Sequence, residues 1–328
     1  MPSTLLKIQD LSVSFDTPQG VRGAVDHVSF SMEEGETLGL VGESGCGKSV
    51  TALSILGLVD MTTGVVESGR ILFRGENLLS ISPEALRRLR GNDISMVFQE
   101  PMTSLNPILP VGRQIAEPLM VHQGLSKTEA YASAATWLEC VKIPMARKRM
   151  KEYPHQLSGG MRQRVMIAMA MICRPGLLIA DEPTTALDVS TQAQILTLIE
   201  NLKADFKMSV LFITHDLGIV AQTANRVVVM YAGQIVETAP VTDIFDKPAH
   251  PYTKGLLKSI PRMGTSTNGP KKRLQEIRGS LPSLYKPISG CRFADRCPEV
   301  FEPCRQKRPV LLPVQDDQQA RCWLYASS

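Results

Sequence analysis

The sequence predicts an α/β protein with a mostly parallel sheet that helices cover on both faces. Short apolar strands alternate with helical segments along most of its 328 residues, which is the order typical of such sheets. One strand leads through a glycine-rich loop into a helix, and a later apolar strand ends in two carboxylates. Strand, glycine loop and helix in this order form a phosphate-binding unit.

The composition is that of a globular protein, with 43% hydrophobic and 21% charged residues. The 36 basic and 32 acidic residues leave a net charge of +4, an excess too small to indicate nucleic-acid binding. The best apolar stretch, 165–173, is shorter than the roughly 18 residues that span a bilayer, and the amino terminus lacks a secretory-signal pattern. We therefore expect a cytosolic chain, with any membrane channel supplied by another chain.

Alternating apolar and polar residues predict strands near the amino terminus, and unbroken apolar runs predict buried strands later. The predicted strands cover 5–15, 28–32, 38–41, 94–98, 177–180, 210–213 and 226–230. Predicted helices cover 50–58, 127–140 and the region of Ile195, Leu198, Ile199 and Leu202, whose spacing gives one apolar face. The segment 16–23 is expected to be a loop between the first two strands.

The chain is expected to comprise four parts. An amino-terminal β subdomain with the glycine loop covers 1–100, and a helical part covers 101–165, where prolines precede helical stretches. The remainder of the core covers 166–245. From residue 246 onward repeated prolines weaken the pattern, so 246–328 is predicted to be a carboxyl-terminal extension, with a turn or linker at 265–269.

The loop 42–49 has the sequence GESGCGKS, a pattern in which glycines let successive backbone amides converge on phosphate oxygens. The amino terminus of the following helix adds its dipole. We expect Lys48 to reach the outer phosphates and the Ser49 hydroxyl to ligate Mg²⁺. The residues predicted to bind a nucleotide here are Gly42, Ser44, Gly45, Cys46, Gly47, Lys48, Ser49 and Val50.

Two carboxylates follow the apolar strand 177–180. Asp181 and Glu182 therefore lie at the carboxyl end of a strand, where open α/β sheets bind ligands. We expect Asp181 to belong to the magnesium shell. Glu182 is then free to act as a general base toward the attacking water.

A second glycine corner, Ser158-Gly159-Gly160-Met161, opens another helix and is again suited to phosphate. One nucleotide does not need two such corners from one chain. Here the sequence resembles the ABC ATPase family, whose signature motif closes on the nucleotide held by the phosphate loop of a second subunit. The last residue of this motif is usually Gln in the family, and Met161 is a departure associated with the peptide-permease branch.

The resemblance implies a RecA-like P-loop ATPase core with an antiparallel β subdomain, a helical subdomain and a cysteine-containing carboxyl-terminal extension. Further family elements follow in the expected order. Gln99 matches the Q-loop residue, Asp188 matches the aspartate of the D-loop at 186–188, and His215 matches the switch histidine.

The resemblance also implies ATP and Mg²⁺ as cofactors. Gln99 is implied to sense the magnesium and the transporter interface, and His215 to contact the outer phosphate and orient the water with Glu182. Phe15 is implied to stack on adenine, with an ordinary core phenylalanine as the alternative. The implied catalytic residues are Lys48, Gln99, Glu182 and His215, and the implied magnesium ligands are Ser49, Gln99 and Asp181.

Several longer segments resemble the ATPases of oligopeptide and dipeptide permeases. They are QEPMTSLNP at 99–107, ARKRMK at 146–151, YPH at 153–155, DEPTTALD at 181–188 and HPYT at 250–253. The resemblance implies a peripheral subunit on the cytoplasmic face of the inner membrane, paired with an identical or paralogous ATPase and two transmembrane permease subunits. A periplasmic or extracellular peptide-binding protein would deliver the substrate.

Other functions of the same cassette stay open. Importers of nickel or antimicrobial peptides belong to the same branch, and the ATPase sequence does not state the substrate. A soluble ABC ATPase of DNA repair or translation is disfavoured, because such chains usually carry two cassettes or long insertions. This chain has one cassette with an insert of transporter size.

Four of the seven cysteines fall near the carboxyl terminus, at Cys291, Cys297, Cys304 and Cys322. In a cytosolic chain such clustering favours a metal over disulfides. Four thiolates suit an iron–sulfur cluster or a structural zinc ion, and the family branch implies a [4Fe-4S] cluster here. Zinc and free buried thiols are the alternatives.

Overall fold

The computed structural model describes residues 3–59, 63–100, 104–185, 187–260, 277–285 and 288–326. The predicted linker at 265–269 and Ala186 of the predicted D-loop lie outside the described residues. The chain divides into two compact units by its contacts. The first unit comprises 1–3, 33–36 and 80–213, and the second comprises 4–32, 37–79 and 214–328.

Seven of the twelve strands that the structure describes coincide with segments predicted from the sequence, and the other five were not predicted. The strands are β1 (Thr4–Thr17), β2 (Gly20–Glu33), β3 (Thr37–Val41), β4 (Gly64–Phe73), β5 (Glu76–Asn77), β6 (Ile94–Val97), β7 (Leu177–Asp181), β8 (Ser209–Thr214), β9 (Arg226–Tyr231), β10 (Gln234–Pro240), β11 (Leu312–Gln315) and β12 (Gln318–Ala320).

Of the α-helices in the described part of the chain, six begin after a residue whose side chain caps the helix, and five have no side-chain cap. The α-helices are α1 (Lys48–Ile55), α2 (Pro83–Leu89), α3 (Val111–His122), α4 (Lys127–Cys140), α5 (Ala146–Arg149), α6 (Gly159–Met171), α7 (Val189–Phe206), α8 (Leu217–Thr223), α9 (Val241–Asp246), α10 (Pro251–Lys258) and α11 (Glu302–Gln306). In α4 the side chains of Ser126 and Glu129 each accept a hydrogen bond from the other's backbone N–H, a capping box that fixes the start of the helix.

In the second unit, an antiparallel sheet has the strand order β2-β1-β4-β5. The next strand along the chain after β2 is β3, which pairs in parallel with β9. Strand β10 then pairs antiparallel with β9 and with β12, and β12 pairs antiparallel with β11. The carboxyl-terminal strands therefore extend the ladder that contains β3, the strand that leads into the glycine loop.

In the first unit, β6, β7 and β8 pair in parallel. Every residue of β7 and β8 is buried, which is why both strands are almost continuously apolar. Helix α3 packs against α4 and α6. None of the helices in the described ranges is both long enough and apolar enough to cross a membrane.

The predicted loop at 16–23 is wrong. Strand β1 continues to Thr17 and β2 already begins at Gly20. The Thr17 hydroxyl donates a hydrogen bond to the Gly20 carbonyl over 2.7 Å, and Gly20 has a φ of 110°. Pro18, Gly20 and Gly23 suggest an irregular loop by composition, but here strand pairing leaves only a tight turn.

A buried carboxylate anchors the chain after β10. Glu237 is fully buried, and its oxygens accept hydrogen bonds from the backbone N–H groups of Ala249 and His250 over 2.7 and 2.8 Å. The side-chain amide of Gln318 donates a third, over 2.9 Å. Glu237 therefore joins β10, the start of α10 and β12.

Replacing Glu237 by Ala is expected to destabilise the protein by about 2–5 kcal/mol, because buried N–H donors lose a charged acceptor. Thermal unfolding followed by calorimetry measures the effect. Glu67→Ala is the matched control, since Glu67 is exposed on β4 and its loss should change stability by less than about 0.5 kcal/mol. Equal midpoints for the two variants would contradict the anchoring role of Glu237.

Candidate functional site

The glycine loop of the second unit has no space for side chains at two positions. Gly42 has a φ of 156° and Gly47 a φ of 107°. A Cβ atom on Gly42 would lie 2.2 Å from the carbonyl oxygen of Met230, and one on Gly47 would lie 2.5 Å from that of Ala24. Only glycine fits at either position, so the path of the loop is fixed by its neighbours.

Lys48 is the basic side chain of this loop. It is 5% exposed, and its Nζ donates hydrogen bonds to the carbonyl oxygens of Gly42 and Glu43 over 2.8 and 3.1 Å. Because these acceptors are uncharged, they do not neutralise the Lys48 ammonium. Its positive charge therefore lies at the start of α1. Ser44 and Gly45 are exposed, and the loop with its helix amino terminus has the form of an anion site.

Cys46 lies inside the loop as a packing residue. It is fully buried, and the Gly233 N–H donates a hydrogen bond to its carbonyl over 2.8 Å. Burial raises the pKa of the Cys46 thiol, although the neighbouring Lys48 partly lowers it. The Cys46 side chain is therefore a neutral thiol. It has a structural role in the loop and is not a nucleophile.

The carboxyl-terminal half of the second unit contacts the loop directly. The Glu43 N–H donates a hydrogen bond to the Tyr252 hydroxyl over 2.9 Å. The Glu43 carboxylate accepts two more from Arg296, over 2.8 and 3.0 Å. Tyr252 belongs to the HPYT segment noted above, but no local signal indicates Arg296, which is 253 positions away in the sequence.

In the first unit, β7 brings its two carboxylates to the edge of the sheet. Asp181 and Glu182 are 4% and 9% exposed. Glu182 has a φ of 46°, a left-handed conformation often found at functional sites. The Gln99 side-chain amide and the Thr185 hydroxyl donate hydrogen bonds to the same Glu182 oxygen, over 3.1 and 2.9 Å. Two predicted site residues, Gln99 and Glu182, are thus in contact.

The predicted signature and D-loop residues line one groove of the first unit. Its lining residues are Ser158, Gly159, Gly160, Met161, Arg164, Leu187, Asp188, Thr191 and Gln194. Ser158 caps α6 by accepting a hydrogen bond from the Met161 N–H over 3.3 Å. Asp188 caps α7, and hydrogen bonds from Ser190 and Thr191 hold its pKa well below the usual range.

The other predicted site residues lie on or directly beside strands and helices of the second unit. Ser49 and Val50 are half-buried in the first turn of α1. Phe15 is half-buried near the end of β1, and His215 is exposed directly after β8.

The four carboxyl-terminal cysteines are neighbours. Cys304 and Cys322 are buried, Cys291 and Cys297 are half-buried, and all are free thiols. The Cys291 N–H donates a hydrogen bond to the Cys304 carbonyl over 2.7 Å. Burial raises the pKa of Cys297 to about 11, and the other three thiols raise it as well.

The predicted metal site at these cysteines is nevertheless not confirmed. Among the residues that the structure describes, no three His, Cys, Asp or Glu side chains form a group that could hold a metal ion. Spacing places the thiols in one region, but the geometry of a cluster or zinc site depends on side-chain directions that spacing does not determine.

An arginine adjoins each of these cysteines in the sequence. No site residue was predicted from this pattern. The pairs are Cys291-Arg292, Arg296-Cys297, Cys304-Arg305 and Arg321-Cys322. Arg292 donates hydrogen bonds to the Asp26 carboxylate and the Ala232 carbonyl. Arg321 donates one to the Ile235 carbonyl over 2.7 Å. The arginines therefore tie the cysteine segment to the strands of the second unit.

Two protein-family models match the chain. A model described as "ABC transporter" matches residues 25–185, and one described as "Oligopeptide/dipeptide transporter, C-terminal region" matches residues 236–304. The first match contains the glycine loop, the signature corner and the two carboxylates. The second contains Tyr252 and Arg296.

Curated relatives match over nearly the whole length. The probable peptide ABC transporter ATP-binding protein y4tR of Sinorhizobium fredii is 53% identical, with 97% of this chain and 94% of the relative covered. The oligopeptide transport ATP-binding protein AppD of Bacillus subtilis is 50% identical, with 98% and 97% covered. The oligopeptide transport ATP-binding protein OppD of Salmonella typhimurium is 49% identical, with 94% and 90% covered.

A solved structure shares the fold. It is the dimeric post-hydrolysis state of the ATP-binding cassette MJ0796 bound to ADP and Pi, which is 25% identical with a TM-score of 0.65 and covers 72% of this chain and 99% of its own. The α/β fold predicted from the sequence is confirmed. With this fold, these loops and relatives of about half identity along its length, the chain belongs to the ABC transporter family, among the ATP-hydrolysing subunits of oligopeptide and dipeptide transporters.

Proposed function

We propose that this chain hydrolyses ATP to energise the import of oligopeptides or dipeptides through a membrane complex. The observation that supports this most directly is the glycine loop 42–49, in which buried Lys48 is held by two carbonyls at a helix amino terminus. The names of the relatives supply the peptide substrate. Importers of nickel or antimicrobial peptides are the alternative substrate classes.

The loop amides and Lys48 would bind the phosphates, and Phe15 would stack on the adenine. Oxygen atoms of Ser49, Gln99 and Asp181 are the donors proposed for Mg²⁺, which prefers oxygen ligands. When bound, the ion would neutralise charge on the outer phosphates. Phosphoryl transfer needs positioning and charge neutralisation more than covalent chemistry, and these residues supply both.

Glu182 is proposed as the general base. Its carboxylate would accept a proton from the attacking water as the water oxygen bonds to the outer phosphorus and the bond to the ADP oxygen breaks. The hydrogen bonds from Gln99 and Thr185 hold one carboxylate oxygen in place. His215 would orient the same water and contact the outer phosphate.

The signature corner is proposed to act on a second ATPase chain. Ser158 to Met161 lie beside Asp188 in one groove of the first unit, and the amino terminus of α6 offers backbone N–H groups to a phosphate. Each nucleotide would thus be enclosed by the phosphate loop of one chain and the signature of another. The second chain is a copy of this one or a paralogue.

The assembly proposed for this chain has two ATPases and two permease subunits on the cytoplasmic face of the inner membrane. A periplasmic or extracellular binding protein would supply the peptide. Within the chain, we propose the four-part division at residues 100, 165 and 245, with coupling to the permeases through the helical part. A role in DNA repair or translation is disfavoured because the relatives above are named as transport proteins.

We further propose an iron–sulfur cluster at Cys291, Cys297, Cys304 and Cys322. The four thiols influence one another. Burial raises the pKa of Cys291, and the positive charge of Arg321 partly offsets that rise. A cation beside the thiols favours the thiolate form that metals require. When bound, a cluster would cross-link the segment that carries these cysteines.

Glu182→Gln is expected to reduce ATP turnover by about a hundredfold or more, because an amide cannot accept the proton. ATP binding should persist, and the ATP-bound dimer should accumulate in size-exclusion chromatography. Steady-state phosphate release measures turnover. Glu200→Gln, at an exposed position of α7, should retain normal turnover, and undiminished hydrolysis in Glu182→Gln would refute the assigned base.

Anaerobically purified protein is expected to contain iron and sulfide, with visible absorption that bleaches on reduction. Cys304→Ser and Cys322→Ser should lose both signals, whereas Cys140→Ser, at an exposed position in the first unit, should keep them. Elemental analysis and absorption spectroscopy provide the measurement. A colourless preparation that contains zinc, or no metal, would overturn the cluster.

A further inference from the structure

Glu43 is an acidic side chain within a loop built for a polyphosphate. It lies between Gly42 and Ser44, and its carbonyl is one of the two that hold Lys48. Its side chain is about a quarter exposed, at 27%. A carboxylate here repels a negatively charged nucleotide unless another charge compensates for it.

Arg296 provides that charge through a bidentate contact. Its two terminal nitrogens donate hydrogen bonds to the two Glu43 oxygens over 2.8 and 3.0 Å, the planar geometry in which such pairs are strongest. The Arg296 side chain is only 7% exposed. Because the pair is largely removed from water, solvent screens it less than a surface ion pair.

The structure leaves Arg296 little freedom to move. Besides Glu43, it donates to the Tyr231 hydroxyl over 3.3 Å and to the carbonyls of Ile277 and Arg278 over 3.2 and 2.9 Å. All five N–H donors of the guanidinium are therefore used. The guanidinium also lies over the Tyr231 ring, 5.6 Å from its centre.

The aromatic residues beside Arg296 also contact the loop. Tyr231 follows Met230, whose carbonyl faces Gly42. Tyr252 packs on Tyr231 with ring centres 4.7 Å apart, and its hydroxyl accepts the hydrogen bond from the Glu43 N–H. The backbone and the carboxylate of Glu43 are thus both held by the carboxyl-terminal half of the second unit, on partners other than a phosphate.

We propose that Arg296 is a positioning residue of the nucleotide site, which neutralises Glu43 and holds its carboxylate away from the phosphates. The inference rests on the proposed function, since it concerns the ATP-binding loop. Because Arg296 immediately precedes Cys297, the cysteine-containing segment is then part of the nucleotide site. Removing the arginine should weaken ATP binding through the charge of Glu43, and not through a general loss of structure.

The test is a double-mutant cycle on the full chain, read by equilibrium binding of ATP in the absence of turnover. Arg296→Gln is expected to weaken binding about tenfold, the order of magnitude of one uncompensated charge in a partly exposed site. In a Glu43→Gln background the same change should weaken binding less than about twofold, because the repelling charge is gone. The tenfold loss should shrink as salt is raised.

Two further variants separate charge from structure. Arg296→Lys keeps the charge without the bidentate contact, so it should bind ATP within about threefold of wild type. Arg305→Gln is the matched control, since Arg305 also adjoins a cysteine but pairs with exposed Asp295 over 3.6 Å. It should bind ATP as wild type does.

Equal losses from Arg296→Gln in both backgrounds would overturn the proposal, as would a loss in Arg296→Lys as large as in Arg296→Gln. Unchanged binding in a folded Arg296→Gln protein would do the same. These outcomes leave the proposed function intact, because wild-type protein still binds ATP. Failure of wild-type protein to bind ATP would instead refute the proposed function.

Discussion

The phosphate loop depends on two places where the protein has no room for a side chain. Gly42 and Gly47 press against the carbonyl oxygens of Met230 and Ala24, and both have left-handed φ angles. Any other residue would strain the backbone and displace a neighbouring strand. The position of Lys48, and the direction of the loop amides that a polyphosphate requires, follow from this contact.

The neighbours of the loop come from the far end of the chain. Tyr231, Tyr252 and Phe293 form an aromatic cluster with ring centres 4.7 to 5.4 Å apart. His250 is fully buried, and burial lowers its pKa to about 3, so its neutral ring accepts a hydrogen bond from the Tyr252 N–H over 3.0 Å. The region that matches the oligopeptide/dipeptide transporter model therefore also holds Glu43 of the glycine loop.

Interactions between residues close in sequence explain the helices and strands that were predicted correctly. Helix α4 occupies the predicted range 127–140 because Ser126 and Glu129 form a capping box within one turn, and the buried strands follow from unbroken apolar runs. The pairing of Glu43 with Arg296 has no local signature, since it joins residues 253 positions apart. The hairpin at 16–23 was missed because strand pairing overrode its turn-rich composition. Cysteine spacing likewise determines proximity but not the directions of four thiols.

We propose that each nucleotide site needs the phosphate loop of one chain and the signature corner of another. Two variants test this requirement under conditions in which wild-type protein alone hydrolyses ATP. Lys48→Ala lacks the ammonium group that would bind the phosphates. Ser158→Arg obstructs the signature corner. Each should be inactive alone, and activity should return when they are mixed, because a mixed dimer contains one intact pair of motifs. A mixture as inactive as its components would contradict the account.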